Sequence, residues 1–430
     1  MAAFINSIRV TTMNDNKHAW DVRYEFKAVA LLALGFGLVG LDRFIILPLF
    51  PVMMKDLGLD YQDLGNVTAI LGLAWGISSI FMGRLSDRIG RRKVLIPAVL
   101  VFSLLAGLSG LATGIGGLML IRAIMGISEG AFTPTALAAT AESSHPARRG
   151  MNIGIQQAFF PILGLGLAPI LATQLLLVVP SWRWVFVIVS LPGFLLALAM
   201  YRYLRETRAV APQKVESSTA ADHPGWLDAL RFRNVWLNIV GMFCMLTCLF
   251  VISVMMPNYL MDYLHLQVQQ MGFVMSAIGL GGFLGQLIMP AVSDRIGRKP
   301  VVLISFVATG VFLWLLMGTG AEPVKLFALL FLTIFFNFSM ICMTVGPLTS
   351  ESVPAALTST ATGLVVGIGE IFGGGVAPAI AGYIAQHHGI ENTMYLALGA
   401  VLVGLLVATC LRETAPARVS APTAEGIDSV

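Results

Sequence analysis

GRLSDRIGRRK at residues 83–93 recurs as PAVSDRIGRKP at residues 290–300. Both copies follow an apolar run and lead into another. Further echoes keep the same register. GLGLAPI (Gly164–Ile170) has a counterpart in GGGVAPA (Gly373–Ala379), and Glu142 has one in Glu351. Register-matched echoes about half a chain apart indicate an internal duplication.

The composition says what kind of unit was duplicated. Of 430 residues, 57% are hydrophobic and 12% charged, with 44 glycines. A soluble domain carries about 25% charged residues, so the chain reads as a polytopic helical membrane protein. Twelve apolar segments stand out, at roughly 27–54, 63–84, 93–113, 115–141, 150–179, 182–204, 235–262, 268–292, 300–319, 322–350, 356–386 and 392–411. Each approaches the ~20 residues that a helix needs to cross ~30 Å of hydrocarbon. The first run is too long for a signal peptide.

Basic residues orient the spans. Of the 27 Lys and Arg, Arg43 and Arg122 fall inside spans, and only Lys55, Arg183 and Lys325 lie in loops on one side. The side holding the rest is expected to be cytoplasmic, with both termini. The domain plan is a tail (1–26), a six-helix bundle (27–204), a polar linker (205–234) with an amphipathic stretch at Trp226–Phe232, a second bundle (235–412) and a tail (413–430). Cys244, Cys248, Cys342 and Cys410 lie in apolar segments without His or carboxylate company, so they read as packing residues and no metal site is expected. No G-x4-GK[ST] loop exists, which excludes a pump that hydrolyses ATP in cis. The net charge of +4 gives no reason to expect nucleic acid.

Charges inside spans are the exception that asks for a function. Asp42-Arg43 sits in the first span, and Arg122 and Glu129 in the fourth. A charge at mid-bilayer costs about 2.5–3.5 kcal/mol even on lenient scales, and such residues usually face a water-filled path. The alternative is a pair of ion pairs that only lock helices. Arg122 and Glu129 are two turns apart and share one helix stripe. Asp42 and Arg43 diverge by about 100°, so one is expected to face a cavity and the other a neighbouring helix.

The 83–93 stretch closely resembles the loop 2–3 signature of the major facilitator superfamily, with a weaker second copy. The resemblance covers nearly the whole chain. It implies an all-α membrane fold of 12 transmembrane helices, in two pseudo-symmetric six-helix bundles that rock about a midplane cavity. It also implies that the signature latches a cytoplasmic gate. The residues concerned are Gly83, Asp87, Arg88, Gly90 and Arg91, with Asp294, Arg295, Gly297 and Arg298 in the second copy, where Pro290 replaces the first glycine. Asp87 suits a helix N-terminus across the bundle interface, and Arg88, Arg91, Arg92 and Lys93 suit anionic headgroups.

A DR in span one with R-x6-E in span four is similar to the anion:cation symporter branch, which includes sugar-acid, vesicular glutamate and sialic acid transporters. That resemblance implies an arginine that holds the substrate carboxylate and acids that carry protons. Arg43 is the first choice of clamp, because guanidinium grips carboxylate bidentately, and Arg122 the second. The four charges cancel when ionised, so a bound monoanion favours proton uptake by Glu129 and Asp42. Asn258, Tyr259, Gln156, Gln157, Asn337 and Trp75 are further candidates to line the cavity, against bland readings as interfacial, interhelical or packing residues. Glu370 in span eleven is a candidate third proton site or a structural partner of Asn337.

The expected protein is therefore a proton-coupled importer of a small organic carboxylate, monomeric, without a cofactor, in the bacterial inner membrane. Apolar Phe44, Ile45, Ile46 and Leu47 lean towards an aromatic or aliphatic acid. The rival is a proton-driven exporter of lipids or amphipathic drugs. The sphingolipid transporters called spinsters share the DR, and 21 methionines and 25 phenylalanines suit an apolar cavity.

Overall fold

The computed structural model describes residues 20–206, 226–354 and 357–415. Twelve helical spans are long and apolar enough to cross a membrane. They are α1 (Val22–Leu57), α2 (Tyr61–Met82), α3 (Arg91–Leu111), α4 (Ile115–Ser143), α5 (Arg149–Val178) and α6 (Trp182–Tyr203), then α7 (Arg233–Tyr263), α8 (Val268–Ile296), α9 (Arg298–Met317), α10 (Pro323–Leu348), α11 (Thr360–His388) and α12 (Ile390–Thr409). Every expected span is present, and no strand occurs among the described residues. The chain is an all-α integral membrane protein.

α1 begins earlier than hydropathy suggests, because polar residues build its first turn. Asp21 caps it, accepting from the Tyr24 N–H at 3.0 Å. Glu25, expected in a polar tail, is buried. Its carboxylate accepts from Trp20 Nε1 (2.7 Å), Asn152 Nδ2 (2.8 Å), Arg148 Nη2 (2.6 Å) and the His145 N–H (3.2 Å). Donors on four residues, with Arg148 also giving its Nε, satisfy a charge that hydropathy alone would leave in water. Of the expected linker, 207–225 lie outside the described residues, and a short helix at Trp226–Ala229 follows.

The two halves pack alike. α1 lies against α5, α2 against α4 and α3 against α6; α7 lies against α11, α8 against α10 and α9 against α12. The duplicated Gly-Ala-Pro motifs occupy matching places. Each adjoins a widened π turn, at Ile162–Leu167 in α5 and Glu370–Val376 in α11. The duplicated SDRIG motifs end in glycines with φ of 104° at Gly90 and 103° at Gly297, a region that other residues seldom adopt. The end bearing these two turns is called the loop end, and the other the far end.

The halves meet through α2 on α11 and α5 on α8. Backbones touch there: a Cβ at Gly72 would lie 2.5 Å from the Gly374 carbonyl oxygen. Polar bonds across the halves gather at the far end. Tyr61 Oη donates to Asp262 at 3.0 Å, the Tyr61 N–H to Gln386 at 3.2 Å, and Gln62 Nε2 to the Ala379 carbonyl at 3.2 Å. At the loop end, Arg91–Glu142, Arg148–Glu25 and Arg298–Glu351 each join residues of one half.

Candidate functional site

The site is built on a break in α1. The helix divides at Ile45 into Val22–Phe44 and Ile46–Leu57. Pro48 falls in the first turn of the second segment, where a missing N–H costs least. Arg122 Nη1, from α4, reaches the break and donates to the carbonyls of Asp42 (3.1 Å) and Arg43 (3.2 Å). A buried guanidinium thus serves two backbone acceptors at a helix discontinuity, the kind of group whose neglect costs about 1–3 kcal/mol.

The break separates Asp42 from Arg43 as their adjacent positions require. Asp42 is buried, with Arg122 and Glu129 as its electrostatic neighbours. Arg43 turns the other way. Its Nη2 lies 3.6 Å from Glu370 Oε2, on α11 of the opposite half. Its Cζ sits 4.7 Å from the ring centre of Phe250, 5.6 Å from Phe44 and 5.8 Å from Trp75, within cation–π range. Arg43 and Arg122 both line a cavity of about 10 Å³, with Phe44, Thr68 and Leu71 on its walls.

The cluster is undersupplied with hydrogen bonds. Asp42 Oδ1, Arg43 Nε and Nη2, Arg122 Nε and Nη2, both oxygens of Glu129 and Glu370 Oε2 are buried without a hydrogen-bond partner in the protein. Glu129 is fully buried, and its electrostatic neighbours are Arg43 and Arg122. Buried polar groups are nearly always satisfied, so this many open donors and acceptors together mark a place where water or a guest supplies partners.

The remaining sequence candidates scatter. Trp75 lies beside Arg43, its Nε1 unpartnered. Gln156 is buried with both amide atoms unpartnered, and Gln157 Oε1 is likewise open. Asn337 donates to the Met245 carbonyl at 3.2 Å, joining α10 to α7; the partner of Glu370 is Arg43. Asn258 donates to Asp262 at 3.1 Å and to Met54 Sδ at 3.0 Å, so it belongs to the far-end seam. Tyr259 stacks on Tyr263 at 5.1 Å, with Glu391 and Tyr395 nearby.

Among the gate residues, the surroundings of Gly83 and the side chain of Asp87 lie outside what is described, and Arg88 and Arg295 are exposed. Arg91 departs from its expected place among headgroups. It is buried, donating from Nε (3.2 Å) and Nη2 (2.9 Å) to Glu142 and from Nη1 to Ser86 Oγ (2.6 Å). Arg298 repeats the pattern on Glu351 (3.3 and 3.0 Å) and Ser293 (2.6 Å), and also pairs with Asp294. The reason is steric. The glycine turn swings the next residue back under the bundle, where the end of the fourth span of the half meets it.

One element escaped the sequence reading although its signal was present. LRET at 204–207 recurs at 411–414. Glu206 accepts from the Arg92 N–H at 3.2 Å, and Glu413 from the N–H groups of Arg298 (2.8 Å) and Lys299 (3.1 Å). Each carboxylate thus caps the helix after its glycine turn, where the dipole favours an anion. Burial pushes the Glu413 carboxyl up, but the N–H groups of Ala415, Arg298, Lys299 and Thr414 outweigh it, and its pKa lies below the ordinary glutamate value.

Comparison with known proteins agrees with this architecture. The Major Facilitator Superfamily profile matches residues 32–366 and 239–428. The chain is 26% identical over 390 residues to the sialic acid transporter NanX of Escherichia coli K12, covering 88% of this chain and 93% of that one. It is 24% identical over 380 residues to the hexuronate transporter of Bacillus subtilis 168, covering 84% and 88%. It is 26% identical over 414 residues to the gentisate transporter of Corynebacterium glutamicum, covering 93% and 91%. Among solved structures, a bacterial homologue of the lysosomal transporter Spinster in an inward-facing, unoccupied conformation superposes with a TM-score of 0.73 at 17% identity, over 90% of this chain and 98% of that one. The duplicated loop motif, the paired bundles and the profile match agree: this chain belongs to the major facilitator superfamily and is a transporter, not an enzyme.

Proposed function

We propose that this transporter imports a small organic carboxylate together with protons, by alternating access. The observation that carries the reading is Arg43: a buried guanidinium on the cavity wall, with Nε and Nη2 free of hydrogen bonds. A planar donor fork with unused N–H groups matches a carboxylate better than a cationic or neutral guest. The sialic acid, hexuronate and gentisate transporters it resembles are named for organic acids, which supports the same class.

Glu129 and Asp42 are the proton carriers in this scheme. Both oxygens of Glu129 lack a donor, and the two acids share Arg122 as a neighbour. Entry of an anion adds negative charge to a water-poor site, which proton uptake offsets. By linkage, protonation favours the anion in equal measure. Arg122 holds the break in α1 and is the second contact for the guest. The far-end seam keeps the halves together, so this conformation is inward-facing if the loop end is cytoplasmic, as its basic residues indicate. The setting is the bacterial inner membrane, and the working unit is a monomer.

The test is uptake of labelled benzoate, glucuronate and N-acetylneuraminate into proteoliposomes under an inward proton gradient. At least one acid accumulates with the native protein. Glu129→Gln loses accumulation but keeps counterflow exchange. Full accumulation by that variant removes Glu129 from the proton path. Transport of cationic amphiphiles with no acid transported turns the assignment to the exporter reading.

A further inference from the structure

We propose that Glu370 is a built-in competitor for the substrate: in the empty site its carboxylate occupies the place on Arg43 that the carboxylate of the guest takes in the loaded one. This rests on the reading of Arg43 as the clamp and adds to it the group that the guest must displace.

Four observations support the exchange. First, Glu370 is the acid paired with Arg43, and it comes from the other half of the molecule. Second, the pair is loose. At 3.6 Å it is an ion pair without a hydrogen bond, whereas charge-assisted N–H···O bonds close to about 2.7–2.9 Å. Third, the surroundings hold the carboxylate near Arg43 without clamping it there. A Cβ at Gly374 would lie 2.5 Å from Glu370 Oε2 and 3.1 Å from the Phe250 ring, so the bare glycine backbone makes the room Glu370 uses. Fourth, Glu370 opens the widened turn of α11, and the matching turn of α5 begins with Ile162. The acid is therefore absent from the repeat and specific to one half.

A tethered carboxylate competes at an effective concentration set by its tether, in the millimolar range for short flexible links. A free carboxylate must outbid it. When it does, one contact of Arg43 with the C-terminal half is exchanged for a contact with a guest that can touch both halves. Affinity in the empty state is thereby held down, which favours release after transport. Removing the charge while keeping the shape should tighten binding and slow turnover.

The test measures equilibrium binding of labelled benzoate, glucuronate and N-acetylneuraminate to the purified full-length protein and to Glu370→Gln, Glu370→Asp and Arg43→Ala, at one pH and salt concentration. Glu370→Gln is expected to bind at least one probe about 10-fold more tightly, as expected for loss of a tethered competitor. In proteoliposomes it should show a lower KM together with a lower kcat, a split that general structural damage would not produce. Glu370→Asp, whose shorter side chain draws away from Arg43, should fall between the two, and it carries the test if Glu370→Gln fails to fold. Unchanged or weaker binding in both Glu370 variants, with binding lost in Arg43→Ala, overturns the competitor and leaves the clamp standing. Native binding by Arg43→Ala, or no binding of any acid to any form, overturns the clamp and the competitor with it.

Discussion

The loop end and the midplane use the same residue types in opposite ways. At the loop end, Arg91 and Arg298 each bind a glutamate through two nitrogens and a serine through a third, and the arrangement occurs once per half. At the midplane, Arg43 and Arg122 retain unpartnered N–H groups, Glu129 has no donor, and the cluster is not duplicated. A repeated ion pair whose arginine is engaged through all three nitrogens holds architecture, and replacing it by apolar residues of similar size can be nearly neutral. An undersatisfied, unrepeated one carries a desolvation cost unless water or a guest supplies the missing partners. Open hydrogen-bonding groups and lack of repetition together mark the site, whereas the unrepeated Arg148–Glu25 pair, with its carboxylate fully bonded, stays with the scaffold.

The sharpest way to break this contrast is to remove Arg43. Arg43→Ala should lower carboxylate uptake by at least about 100-fold, equivalent to about 3 kcal/mol of lost clamp energy. Thermal stability should fall as well, since Glu370 loses its ion-pair partner, so a native size-exclusion profile is the control that separates loss of the clamp from loss of the fold. Near-native uptake by this variant would end the assignment of the midplane as the binding site.

Arg122 tests the middle ground, being part scaffold and part site. Arg122→Met orphans the carbonyls of Asp42 and Arg43, each worth about 1–3 kcal/mol when left buried and unpaired. Thermal stability in detergent should fall clearly, and transport with it. A fully stable variant would show that the break in α1 does not depend on this guanidinium.

Arg91→Met and Arg298→Met probe the repeated pairs. Each leaves a half-buried glutamate without its arginine, so a loss on the order of 1–3 kcal/mol is expected. Both should lower stability to a similar degree and leave the Kd for substrate within about twofold, as expected for sites too distant to couple. A strong effect on affinity from either would place the loop end inside the binding machinery.

The smallest effect is at Glu413. A carboxyl whose folded pKa lies below its ordinary value stabilises the fold above that value, and the contribution is lost as pH falls through the folded pKa. Thermal scans between neutral pH and about pH 3 should show this acid-side loss, and Glu413→Gln should flatten it slightly. An identical acid limb in both proteins would mean that the cap on α9 contributes nothing.

Much of this was legible in one dimension. Span positions follow from apolar length, and the expected and observed spans differ by only a few residues at their ends. The exceptions are informative. α1 starts early because Glu25 finds donors on His145, Arg148 and Asn152, and no hydropathy window registers a donor from elsewhere in the chain. The LRET echo was readable as a repeat, but its meaning, a carboxylate over a helix start, depends on where α6 and α12 end in space.

The sequence by itself determined the twelve spans, the duplication and the charges inside the apolar runs, because the cost of apolar surface in water and of charge in hydrocarbon attaches to residue type. Tertiary structure alone decided the partners: Arg91 on Glu142, Arg122 on the carbonyls of the α1 break, and Glu370 of one half on Arg43 of the other. Pairing depends on which helix faces meet. That is settled by close-packed contacts such as Gly72 on Gly374, whose range is a few ångströms and whose members are hundreds of residues apart along the chain.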